Sequence, residues 1–316
     1  MIKPKKIIDS ISNKKIDTKE TISIFGSPRS GTTWIMNVFS ALKNYKSIFE
    51  PFHIKWYPEF HALNLFPRPY FGKDEQSKEL RKYIINLING NIRIGNTNFR
   101  YKETINRIRA DKIILKFVRG NRILPWYCNN VPESKINVLL LRHPMSTIQS
   151  QIKSGMRGYF KKKNETLQKD VIKKEISKIY EIEHIKEKIL GDMDNYNEYE
   201  MLALTYGIDN YIPVESGVKI HIIYYEDVFS NGLSSIYDVL NNNRIEYENN
   251  RLERELGVPS QTTHKDTEKE FKNQLSKWTS SNEMKVQEER IRNILHLFEI
   301  DFNNKSYSIL ENKITF

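Results

Sequence analysis

Cysteine is almost absent from this 316-residue chain: Cys128 stands alone. One thiol excludes an intramolecular disulfide framework and any zinc site built on several cysteines. Long apolar runs are missing as well. No stretch reaches the roughly 18 apolar residues that a spanning helix needs, so no segment reads as a membrane span. The first twenty residues, MIKPKKIIDSISNKKIDTKE, start basic, yet no apolar stretch of signal-peptide length follows, and the expected location is cytoplasmic. Acidic residues fall short of basic ones, with 39 Asp+Glu against 50 Lys+Arg and a formal charge of +11. Charge of that sign raises nucleic acid as a partner. Zinc-finger spacings, RNP aromatic motifs and basic-zipper patterns are all lacking, which argues against a dedicated nucleic-acid module. Part of the excess is local. Lys153 to Lys174 holds eight basic residues against Glu165 and Asp170. Such a run is a solvated helix face or mobile loop, or a surface that attracts an anionic ligand.

Internal repeats, Pro-rich linkers and Gly/Ser tethers are likewise absent, so residues 1–316 read as a single α/β domain with a basic extension over 1–20. Short, branched, nearly continuous apolar runs predict strands covered on both faces. They are Thr21 to Phe25, Lys112 to Phe117, Ile136 to Leu141 and Val218 to Tyr224. Helical patterns predict helices over Thr33–Leu42, Pro144–Ile152, Lys169–Leu190, Glu198–Asn210, Leu233–Asn241 and Asn282–Leu297. Strands alternating with helices predict a P-loop-like three-layer fold, a central and mostly parallel sheet flanked by helices. The stretch 50–71, with four prolines and clustered aromatics, reads as a long functional loop.

The strongest motif is ISIFGSPRSGTTW, Ile22 to Trp34. A buried strand runs into Gly26-Ser27-Pro28-Arg29-Ser30-Gly31-Thr32-Thr33, and a helix begins. Glycines admit a tight turn and close backbone approach, and the freed N–H groups at the helix start point at an anion. Arg29 and the hydroxyls of Ser30, Thr32 and Thr33 add charge and donors. A Walker A loop places Lys where Thr32 stands, and the strand Ile136 to Leu141 is followed by Arg142 rather than a Walker B Asp. The loop suits an anion better than a triphosphate with magnesium, and no metal is expected. A second anion site follows in LRHPMSTIQSQ, where Arg142 at a strand end and Ser150 on the next helix are placed to clamp a phosphate. Two separated anion sites on one sheet suggest a nucleotide with two separated phosphates.

These motifs resemble the sulfotransferase family that uses 3′-phosphoadenosine 5′-phosphosulfate, in feel nearest to its bacterial and carbohydrate members. SPRSGTTW resembles the loop for the 5′-phosphosulfate, and LRHPMSTIQS the 3′-phosphate block, through Arg142 and Ser150. YYEDVFSN is similar to the post-strand segment whose Tyr, here Tyr225, lies near the adenine. NQLSKWTSSNEMKVQEERIRNIL resembles the C-terminal region. The resemblance implies that Ser27, Pro28, Arg29, Ser30, Gly31, Thr32, Thr33, Arg142, Ser150 and Tyr225 bind the sulfuryl donor. Trp34 would stack on the adenine or pack its helix. His264 and Lys265 would close over the nucleotide or lie in a solvated loop.

Sulfuryl transfer requires an aimed donor, a deprotonated acceptor hydroxyl and neutralisation of the leaving phosphate. Arg29 and Lys116 are the candidate cations. The Lys-x-His of small-molecule sulfotransferases reads Lys116-Phe117-Val118 here, so that histidine is missing. An acidic residue before Pro in SIFEPFH resembles the carbohydrate enzymes, which makes Glu50 the candidate base and His53 the runner-up. A carboxylate paired with a nearby cation is the alternative for Glu50. Arg119 and Arg122 contact an anionic acceptor or cap structure. The implied activity is transfer to a hydroxyl of a small-molecule or glycan acceptor, a carbohydrate or glycolipid. The rivals are a catalytically silent nucleotide-binding relative and a small-molecule P-loop kinase. Sequence leaves the oligomeric state open.

Overall fold

The computed structural model describes residues 16–65, 68–91, 109–155, 165–258, 277–303, 306–310 and 312–315. Strand β1 (Ile22–Gly26) feeds helix α1 (Thr32–Ser40), and β2 (Tyr45–Phe49) follows. After α2 (Pro58–His61) and α3 (Lys78–Ile88) come β3 (Lys112–Phe117), α4 (Leu124–Asn130), β4 (Ile136–Leu141) and α5 (Pro144–Lys153). Then α6 (Glu165–Ile176), α7 (Glu183–Asp192) and α8 (Glu198–Glu215) precede β5 (His221–Tyr224). Among the described residues, four helices follow: α9 (Tyr225–Asn231), α10 (Ser234–Asn242), α11 (Asn249–Leu256) and α12 (Asn282–His296). The chain ends in β6 (Ile300–Phe302), β7 (Ser306–Ile309) and β8 (Asn312–Thr315).

The first five strands form one parallel sheet in the order β2-β3-β1-β4-β5. Alternate residues serve opposite faces. Ile22, Ile24, Val138 and Leu140 join the core under α1, whereas Phe25, Phe117, Leu139 and Leu141 join the core under α5 and α8. Because α1 and α5 cover opposite faces, the connections diverge between β1 and β4. A crevice opens at the carboxyl ends of two such strands, where α/β sheets bind ligands.

All four expected strands are present, the last shortened to begin at His221. The edge strand β2 and the antiparallel sheet β6-β7-β8 are additional. Two expectations need correction. The single helix over Lys169–Leu190 is two helices, α6 and α7, because the chain turns between them to bury Ile179 and Ile182 beside Ile176. The stretch 50–71 is not wholly irregular, since Pro58 starts the short α2, a position where its missing N–H costs nothing.

Helix α8 is buried on nearly every side, and its start is secured by a reciprocal Asn197–Glu200 capping box. It packs against the segment after α12 through Gly207, where an added Cβ would sit 2.3 Å from the Phe298 ring. Gly207→Ala should therefore destabilise the fold by about 1–3 kcal/mol, overpacking outweighing the better helix propensity of alanine. Urea unfolding checks this, and Phe298→Leu in the same chain should recover part of the loss.

Candidate functional site

The turn from Gly26 to Thr32 lies at the crevice. Gly26 has no room for a side chain, since a Cβ would meet Thr32 Cγ2 at 2.6 Å and Ser30 Oγ at 2.9 Å. Gly31 caps α1 at φ +94, with the Tyr225 ring so close that a Cβ would lie 2.5 Å from it. Arg29 is also left-handed, at φ 70, a conformation that costs a non-glycine residue about 1 kcal/mol.

Contacts from α5 and the end of β4 hold the turn. Arg142 Nη1 donates to the Arg29 carbonyl at 3.0 Å, Arg29 Nε donates to Ser150 Oγ at 3.1 Å, and Gln151 Nε2 donates to the Pro28 carbonyl at 2.8 Å. The two arginines predicted for two separate anion sites are thus joined through one hydrogen bond. The Arg142 guanidinium lies over the Tyr225 ring at 4.3 Å, and the Trp34 ring leans on the same Tyr225 ring at 5.3 Å. Trp34 is buried and donates its indole N–H to the Leu256 carbonyl at 3.1 Å, so it packs α1 against α11. Burial first, and then the charge of Arg142, lower the Arg29 pKa. Arg142 Nε and Ser30 Oγ are buried without a hydrogen-bond partner. A buried donor left unpaired costs about 1–3 kcal/mol, so these atoms suit an incoming anion.

Helix α8 supports the turn from behind. Asn210 Nδ2 donates to Ser27 Oγ at 3.1 Å, and Asn121 Nδ2 donates to Asn210 Oδ1 at 3.3 Å. Neighbouring Asp209 accepts Arg122 Nε at 2.8 Å and pairs with Arg68, while Arg122 also reaches Glu175 at 3.1 Å. Arg122, buried in this network, is a structural cation.

A second cluster forms where β2 and β3 end. The Glu50 N–H donates to the Lys116 carbonyl at 2.9 Å, and Glu50 itself stands at φ 46. Its carboxylate takes Lys116 Nζ at 3.2 Å on Oε1 and Arg119 Nη1 at 2.8 Å on Oε2. Lys116 Nζ also donates to Thr33 Oγ1 at 3.4 Å and rests 3.6 Å from the Phe49 ring centre. Thr33 and Lys116 therefore link this cluster to the turn before α1. Burial raises the Glu50 pKa, but Lys116 and Arg119 together outweigh it and hold the carboxyl below its ordinary value. Burial pushes the Lys116 ammonium down to about 8, against the pull of Glu50. His53 stacks on Trp56 at 3.9 Å, and burial and Arg119 lower its pKa.

No protein-family model matches the chain, and no curated protein matches it. Solved structures similar to it include two sulfotransferase domains. One comes from the curacin biosynthetic pathway, at 14% identity and TM-score 0.43, covering 87% of this chain and 96% of that one. The other comes from the Synechococcus PCC 7002 olefin synthase, at 13% identity and TM-score 0.46, covering 92% and 98%.

The structure gathers Ser27, Pro28, Arg29, Ser30, Gly31, Thr32, Thr33, Arg142, Ser150 and Tyr225 around one crevice and sets Glu50 and Lys116 beside Thr33. His264 and Lys265 lie outside the described residues. Sequence reasoning missed Tyr206, Asp209 and Asn210. Their i, i+3, i+4 spacing on an apolar helix, polar residues where the core is expected, was the available signal.

Glu50→Gln should lower stability at neutral pH by about 1–3 kcal/mol, less than for a fully enclosed pair because Glu50 is partly exposed. The folded-state pKa of Glu50 lies below its unfolded value. Its contribution is thus complete above about pH 4.5 and is lost as pH falls through the lowered pKa. Urea unfolding should show the gap between wild type and variant closing towards about pH 3; a constant gap refutes the clamp.

Proposed function

We propose that the protein is a sulfotransferase that moves a sulfuryl group from 3′-phosphoadenosine 5′-phosphosulfate to an acceptor hydroxyl, with a carbohydrate or glycolipid as the acceptor class. The observation that carries this reading is the Arg142–Arg29 contact, which brings two cations, each expected to meet an anion, to one crevice, with the Tyr225 ring packed on Arg142 and close to Gly31. Buried, unpartnered Arg142 Nε and Ser30 Oγ fit the anionic ends of such a donor. The turn 27–33 would take the phosphosulfate, Arg142 and Ser150 the 3′-phosphate, and the Trp34–Tyr225 pair the adenine side. The donor supplies the activated sulfur.

In this scheme Glu50 accepts the acceptor's hydroxyl proton as its oxygen bonds to sulfur. The bridging S–O bond breaks, and its electron pair passes to the 5′-phosphate. Arg29 and Lys116 meet the charge that grows there, the kind of preorganised electrostatic help that dominates such transfers. A carboxylate held ionised by two cations is a weak base by itself. An acceptor that displaces Arg119 from Oε2 would restore basicity where the hydroxyl docks. His53, neutral at pH 7 by the direction of its shift, is the second candidate. The same clamp on Glu50 favours one rival, a nucleotide-binding protein without turnover.

Titration calorimetry tests the donor assignment. Adenosine 3′,5′-bisphosphate should bind, and ATP should bind more weakly. Arg142→Ala should weaken the bisphosphate by about tenfold or more while leaving adenosine 5′-phosphosulfate within a few-fold, as expected for a charge-assisted contact to the 3′ group alone. Tight ATP binding without bisphosphate binding sinks the proposal. Bisphosphate binding with no sulfated product from radiolabelled donor and a panel of glycans supports the silent rival.

A further inference from the structure

The peptide unit between Arg142 and His143 is gripped from both sides. Its carbonyl accepts the Tyr206 hydroxyl at 2.5 Å, and its N–H donates to Glu226 Oε1 at 3.0 Å. Glu226 is fully buried and follows Tyr225, the ring under the Arg142 guanidinium. Its carboxyl also faces the Tyr307 hydroxyl, and Oε2 makes no well-aligned hydrogen bond. A carboxyl group in such a place is costly to ionise, and a neutral amide or an apolar side chain would be cheaper if packing were its whole role.

We infer that Glu226 is a positioning residue for the 3′-phosphate: it fixes the main chain that aims Arg142, and its carboxyl gains a proton when a dianion reaches that arginine. This inference rests on the reading that Arg142 grips a 3′-phosphate.

The surroundings leave Glu226 as the group able to titrate near neutrality. Burial pushes its carboxyl up to about 7, held back by the Arg142 charge and the His143 N–H. The groups facing it are Arg142 and His143 after β4, Tyr206 on α8, Tyr225 on α9 and Tyr307 on β7. His143 is pushed down to about 4 by burial, so it is neutral at pH 7. The three tyrosines are all raised by burial and stay protonated. A phosphate that engages Arg142 weakens the one strong attraction keeping Glu226 ionised. The bound state then holds more protons, so affinity should rise as pH falls from about 8 towards 7.

Calorimetric titration of the intact protein with adenosine 3′,5′-bisphosphate, at about pH 7.5 in two buffers of different ionisation enthalpy, reads that proton directly. Wild type should take up on the order of half a proton. Glu226→Gln should take up markedly less while keeping affinity within about threefold, because its amide carbonyl still accepts from His143. Glu226→Ala, which loses that acceptor, should weaken the bisphosphate about tenfold and adenosine 5′-monophosphate hardly at all. Equal proton uptake by wild type and Glu226→Gln overturns the inference, as does equal weakening of both nucleotides by Glu226→Ala. Should Glu226→Ala fail to fold, the wild-type and Gln comparison still decides. A wild type that does not distinguish bisphosphate from monophosphate removes the Arg142 reading itself, and the inference with it.

Discussion

Two arginines share one crevice, and the hydrogen bond from Arg142 to the Arg29 carbonyl sets their arrangement. Like charges at close range repel by roughly 1–4 kcal/mol at 4 Å, depending on how much water screens them. Neutral groups carry the burden of keeping them together: a main-chain carbonyl, the Ser150 hydroxyl and the Tyr225 face. None of these cancels positive charge. Arg142 Nε and Ser30 Oγ beside them are buried without a hydrogen-bond partner, which suits an incoming anion.

The Glu50 cluster follows the opposite rule. There the carboxylate is already shared between a lysine and an arginine, and the left-handed backbone at Glu50 keeps it at the end of β2 instead of letting the strand continue. Thr33 stands between the two arrangements, in α1 after the Gly26–Thr32 turn yet within reach of Lys116. On one side of Thr33, Lys116 is thus paired with a carboxylate, and on the other Arg142 keeps a buried Nε–H without a hydrogen-bond partner.

Much of this could be read along the chain. Strands buried on both faces announce themselves as continuous apolar runs, and β1, β3 and β4 appear where Ile22, Ile114 and Val138 suggest. The turn after β1 was legible because glycine, proline and hydroxyl residues there are chemically unusual for a strand–helix junction. Strand β2 was not: Tyr45–Phe49 includes Lys46 and Ser47, and its edge position is decided by pairing with β3. The break between α6 and α7 was hidden for the same reason, since only tertiary burial of Ile179 and Ile182 interrupts a sequence with helical spacing. Glu226 looked like one acid in an ordinary Tyr-Glu-Asp run, and nothing local signals that the His143 N–H waits for it 83 positions away.

One helical turn of α8 handles both banks of the crevice. Asn210 steadies Ser27, while Asp209 pairs with Arg68 near the far end of the segment that leaves β2 at Glu50. That segment is anchored at both ends like a bridge span, one abutment on the sheet and the other on a helix. Evolution can then alter what the span displays by exchanging side chains along it, with little loop-closure entropy at stake. Swinging the whole span aside would require uprooting a buried arginine from its carboxylate, so new specificities are more accessible through its lining than through its motion.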